Sequence, residues 1–198
     1  MANASIASVT PAPASADEAE SWVRGELIRS LMRSARGSYL VSAALMPAMV
    51  GLSWGHVPRW ELLTWLAAGI IATACRAWGA RVYAVRYAGR SAVAQQQFTD
   101  RYGFVWSTSA VVWGCSVLLF FERTPQVNQF MSWLIVAGVA TFPLNGLSLH
   151  PPLLHRYVNT LFVTMLACVA LRVVQMDLSN PHFNYGFLAL PLLHWWML

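Results

Sequence analysis

Lysine is absent from this sequence, and charge of either sign is scarce: thirteen arginines and eight acids make up 11% of 198 residues. A soluble domain carries roughly 25% charged residues, so a chain wetted over its whole surface is excluded. The missing lysine itself reads as codon bias without structural meaning. Cysteine is sparse as well. Cys75, Cys115 and Cys168 each stand inside an apolar run, and no Cys-x-x-Cys spacing exists. They read as small helix- or lipid-facing residues, not as redox or metal ligands. No glycine-rich phosphate loop occurs, and serines and acids never fall into a nucleophile–base arrangement. The expectation is a chain with no catalytic site, no cofactor and no metal.

What is abundant is apolar. Hydrophobic residues make up 57% of the chain, and ten are tryptophan. The tryptophans fall near the ends of apolar runs, where amphipathic rings settle at a bilayer surface. The formal charge of +5 comes from arginines spread between those runs. That spacing suits membrane topology and argues against a nucleic-acid patch.

Residues 1–14, rich in Ala, Ser and Pro, read as a disordered tail, and they lack the charged and apolar regions of a signal peptide. Ser15 and Glu18 fit a capping box that opens a helix at Ala16. Over residues 15–36, Val23, Leu27 and Leu31 recur at helical spacing beside Trp22, Ile28 and Met32, with Arg24, Arg29, Arg33 and Arg36 between them. This predicts a short amphipathic helix lying along the cytoplasmic face. Residues 37–198 then read as an all-α, polytopic transmembrane bundle of six spans. These run from Gly37 to Trp54, Trp60 to Ala84, Phe104 to Phe121, Phe130 to Leu149, Tyr157 to Met176, and from Tyr185 onward. Each complete run is near the ~20 residues that cross ~30 Å of hydrocarbon. The sixth holds only the residues from Tyr185 to Leu198, about 21 Å of helix. A carboxylate there would be costly, so the polypeptide is expected to continue past Leu198.

Counting arginines orients the bundle. With the N-terminus inside, Arg24, Arg29, Arg33, Arg36, Arg81, Arg86, Arg90, Arg101 and Arg156 fall on the inner side. Arg59, Arg123 and Arg172 fall outside. Nine against three places the N-terminus in the cytoplasm, and six spans return the C-terminus there.

Four residues stand out as candidate signalling or hinge positions. Arg76 is a charge well inside a span, about 24 Å along the helix from Trp60; it reads as a side chain snorkelling to the inner surface or as a functional intramembrane cation. Pro143 frees a carbonyl in span four, and Asn145 needs a partner there. Pro191 bends span six, as Pro47 would bend span one. Ala68 with Ala72, and Ala137 with Thr141, are small pairs suited to helix packing. Glu61, Glu122 and Asp177 read as solvated caps on the outer side. The five histidines never share one helix face within a span, so they argue against a metal or haem site. His56 and His182 fall on the outer side. His150 and His155 flank an inner Pro-Pro loop and read as solvated; His194 lies in span six.

An arginine-bearing first helix, three hydrophobic hairpins, Val112-Trp113-Gly114-Cys115 followed by Val117-Leu118-Leu119-Phe120-Phe121 in span three, and Ala137-Gly138-Val139-Ala140 in span four form a familiar layout. It resembles the six-helix N-terminal membrane sensor region of bacterial diguanylate cyclases (GGDEF proteins) and of some sensor histidine kinases. The resemblance covers roughly Glu26 to Leu198. It implies an input module that passes a stimulus through the last helix to a cytoplasmic effector, with the lipid bilayer and a second copy of the chain as partners. The GG(D/E)EF signature itself is absent from this sequence, so the cyclase activity would lie elsewhere. A sensor kinase input region, or a small transporter or channel subunit, stands as the alternative. The latter would want polar residues lining a path or an inverted repeat.

Overall fold

The computed structural model describes residues 16–141, 147, 148 and 150–176. All the elements of this part are helical: α1 (Ala16–Ser53), α2 (Arg59–Arg86), α3 (Ala92–Tyr102), α4 (Phe104–Cys115), α5 (Val117–Phe120), α6 (Gln126–Thr141) and α7 (Pro151–Gln175). The residues expected to form span six, with Pro191, His182 and His194, lie outside the described residues. So do Ser15, Pro143 and Asn145.

Three helical runs are long and apolar enough to cross a membrane: Arg59–Arg86, Ala92–Phe120 and Pro151–Gln175. Their outward faces explain why. Leu63, Ile70 and Ile71 on α2, Phe104 and Val111 on α4, and Val163, Leu171 and Val174 on α7 are all exposed. In water such continuous apolar faces would drive association, whereas lipid tails match them.

The lead-in helix and the first span are one element. α1 runs 38 residues through Pro47 without a break in the helical run. Its first half does not lie apart on a surface, because it packs against α3. A Cβ placed on Gly25 would stand 3.2 Å from the Cβ of Ala92, so the two backbones pass closely. Ile28, Leu31 and Met32 of this half are buried. The chain then turns back at Gly55, whose φ of +83° is a left-handed conformation open to glycine. His56 and Val57 N–H both donate to the Ser53 carbonyl at 3.2 Å, and α2 begins directly after Pro58.

The polar stretch between spans two and three is also structured. Within it α3 buries Gln95, Phe98 and Thr99. Gly103 and Ser116 keep right-handed helical dihedrals, so α3, α4 and α5 follow one another as a nearly continuous rod. At Ser116 the N–H reaches back to the Trp113 carbonyl at 3.1 Å, a tightened i→i+3 turn. Pro151 and Pro152 prove to open a helix, not a loop. They occupy the first positions of α7, where their missing N–H groups cost nothing, and His150 caps that helix by accepting from Leu153 N–H at 3.4 Å. His150 is therefore a partly buried capping residue, correcting its reading as solvated, while His155 is exposed.

α4 is the shared wall of the bundle, packing on α7 most extensively and on α2 and α6 as well. Trp113 sits at its centre, wholly buried. Its indole N–H donates to Ser42 Oγ of α1 at 3.0 Å, and its ring meets Trp65 of α2 edge to face at 5.4 Å. The tryptophans therefore divide. Trp22, Trp54, Trp60 and Trp78 are exposed, as rings at a bilayer surface would be, but Trp65, Trp106, Trp113 and Trp133 fill the core.

Candidate functional site

The inward face of α2 is Leu62, Trp65, Gly69, Ala72, Arg76, Gly79 and Tyr83. Their spacing alternates three and four, the seam of helices crossing at a shallow angle. The small residues let neighbours in. A Cβ on Gly69 would meet the Met46 side chain of α1 at 2.6 Å, and one on Gly79 would touch Val105 of α4 at 3.7 Å. The packing positions are thus Gly69 and Ala72, with Ala68 only half-buried.

Arg76 stands in the middle of this seam because the register puts it there. It is 6% exposed, so it does not snorkel outward. Its guanidinium donates to Ser109 Oγ of α4 at 3.4 Å, and its charge is felt by the Tyr157 hydroxyl of α7. Tyr157 is buried, and its hydroxyl donates to the Val139 carbonyl of α6 at 3.4 Å. One cation on α2 therefore couples to two further helices, α4 and α7, and a fourth, α6, is linked through the tyrosine. Holding an arginine among apolar side chains is costly, and it marks a position where a small change in packing changes the energy greatly.

Charge is handled differently at the two ends of the bundle. At the end where α1 finishes and α2 starts, Arg123 forks onto both carboxylate oxygens of Glu61, with its Nη2 3.0 Å from Oε1. The same guanidinium donates to the Leu118 carbonyl at 3.1 Å. Glu61 is thus a half-buried ion-pair partner rather than a solvated cap. Beside it, Glu122 adopts φ of +51°, left-handed for a residue with a Cβ. Burial pushes the Glu122 carboxyl above its ordinary range, against the pull of Arg172.

At the opposite end, α2 and α3 meet through aromatic rings. Phe98 packs on Tyr83, Tyr87 and Tyr102 with centroids 5.0–5.3 Å apart. The Tyr83 hydroxyl donates to Gln95 Oε1 at 3.0 Å, and Gln95 Nε2 donates to the Arg90 carbonyl at 2.9 Å. A fully satisfied polar network of this kind fixes one arrangement of α3 on the bundle.

Two cysteines separated in sequence also meet. Cys115 on α4 and Cys168 on α7 stand close enough for their thiols to influence each other, so only Cys75 keeps the isolated reading. Among the described residues no three His, Cys, Asp or Glu side chains gather to hold a metal. Nothing in the sequence announces the thiol pair or the Tyr83–Gln95 bond, because both join segments with no shared motif. The α2 seam was detectable from spacing alone, once glycine and arginine are counted as seam residues.

No known protein family model matches this chain, and no curated protein or solved structure is similar to it.

Proposed function

We propose that this chain is the membrane-embedded input module of a bacterial signal-transduction protein, of the kind that precedes a diguanylate cyclase effector. In this reading it crosses the inner membrane six times, with the arginine-rich end and both termini in the cytoplasm, and it works as a homodimer. The observation that carries the reading is Arg76. A cation in the contact seam of three helices has no packing value an apolar residue could not supply, so it favours a role in switching. A stimulus that alters how α2, α4 and α7 pack changes what surrounds the guanidinium. The bundle would then shift between two helix arrangements, and the shift would reach the cytoplasmic end.

The test uses the complete natural gene product in a bacterial host, with intracellular cyclic di-GMP as the readout. Arg76→Gln is expected to change that output by at least about fivefold at equal protein level, a typical coupling between sites. An unaltered output would sink the switching role. A change confined to phosphotransfer onto a response regulator would move the assignment to a histidine kinase. Topology is checked separately by reporter fusions at both termini, which should report the cytoplasm; opposite faces would remove the six-span arrangement.

A further inference from the structure

Between α1 and α2, at the arginine-rich end, lies a cleft of about 900 Å³. Arg29, Arg33 and Arg81 line it, together with Met32, Ala77, Ala80 and Ala84. The volume falls in the range of small-molecule pockets, roughly 300–1,000 Å³. Arg29 and Arg33 are one helical turn apart on α1, and Arg81 faces them from α2. The alanines at 77, 80 and 84 lie on one side of α2 and leave the wall between the charges shallow and apolar.

Among the described residues only one of the three arginines has an internal ion pair. Arg29 bonds Glu26 at 3.1 Å, but its Nε is buried with no hydrogen-bond partner among the described residues. Arg33 and Arg81 form no ion pair among the described residues. Three arginines against one glutamate leave the cleft with an excess of two positive charges. Arginine forks match the paired oxygens of a phosphate. Arg81 follows Arg59 by 22 positions, about 33 Å along the α2 axis, which equals the depth of a bilayer's hydrocarbon. The cleft thus stands at headgroup level on the basic side, with an apolar wall running into the membrane.

We propose that this cleft binds the phosphate of an anionic glycerophospholipid, the alanine-lined wall taking the start of an acyl chain. A zwitterionic headgroup would bring a cation that only Glu26 could meet, so the site selects for net negative charge. The proposal requires that α2 cross the bilayer and is independent of the signalling role.

The experiment is native mass spectrometry of the whole chain in neutral detergent, titrated with phosphatidylglycerol, phosphatidylcholine or inorganic phosphate. Phosphatidylglycerol is expected to remain bound, and phosphatidylcholine to leave. Replacing Arg29, Arg33 and Arg81 together by Gln should weaken phosphatidylglycerol binding, at about fivefold per arginine, by roughly a hundredfold. Ala84→Trp keeps every charge and fills the cleft, so it should abolish binding too. Equal retention of both lipids overturns the proposal, as does full affinity in either variant while the protein stays monodisperse. Inorganic phosphate displacing the lipid completely would assign the cleft to a free phosphate and overturn the lipid assignment.

Discussion

The contact between α4 and α7 and the cleft between α1 and α2 are both built on small residues, and they do opposite things. At Gly114 the missing side chain lets α7 approach until a Cβ there would stand 2.7 Å from Thr164 Cβ and 3.0 Å from the Leu161 carbonyl. At Ala77, Ala80 and Ala84 the small side chains border open space. The charged residues follow the same division. Arg123 is locked onto Glu61 where the helices close, while Arg33 and Arg81 form no ion pair among the described residues where they part. Small residues in a membrane helix therefore mark either contact or vacancy, and the neighbouring helix decides which.

The largest test of this contrast pairs two substitutions. Gly114→Val forces a branched side chain into the α7 backbone and should lower stability by about 3 kcal/mol, the upper range for overpacking. Ala84→Leu points into the cleft and should shift it by less than about 0.5 kcal/mol. Thermal unfolding in detergent measures both; equal losses would erase the distinction. Next, Arg123→Leu leaves Glu61 without its fork, at a cost of about 2 kcal/mol. Arg33→Gln and Arg81→Gln break no ion pair, and each should fall within about 0.5 kcal/mol of wild type.

Trp113→Phe sharpens the closed side further. It keeps most of the ring volume but deprives Ser42 of its donor, and it should cost about 1 kcal/mol. The last effect is a gain. Glu122→Gly relieves a left-handed residue with a Cβ, and it should raise stability by about 1 kcal/mol at neutral pH. Part of that gain depends on pH. Because burial raises the Glu122 pKa in the folded state, its charged form weakens folding at neutral pH, and the penalty fades as pH falls through the raised value. The advantage of Glu122→Gly should therefore shrink between pH 7 and about pH 4. An advantage that grows in acid would contradict the cause given for it.

The sequence made the apolar helices legible wherever both their faces were apolar, as in α2, α4 and α7. It concealed α3, because Gln95, Gln96 and Gln97 look solvated until Tyr83 is seen to bond Gln95. It also placed tryptophan at membrane surfaces; Trp54 and Trp60 are exposed, as that reading requires, but Trp113 is buried. That ring needs a hydrogen-bond acceptor, and Ser42, 71 positions away, supplies it inside the bundle. Arg76 was visible as an anomaly from its charge alone. Its burial was not, because distance along a helix gives depth and says nothing about which way a side chain turns.

The uninterrupted length of α1 has a mechanical consequence. Its 38 residues make a rod of about 57 Å, some 27 Å longer than the oily layer is thick. Were its apolar second half held in lipid, a tilt of about 10° would move the other half sideways by about 5 Å, close to one helical pitch. Because its first half is packed against α3, such a helix carries α3 with it whenever it leans.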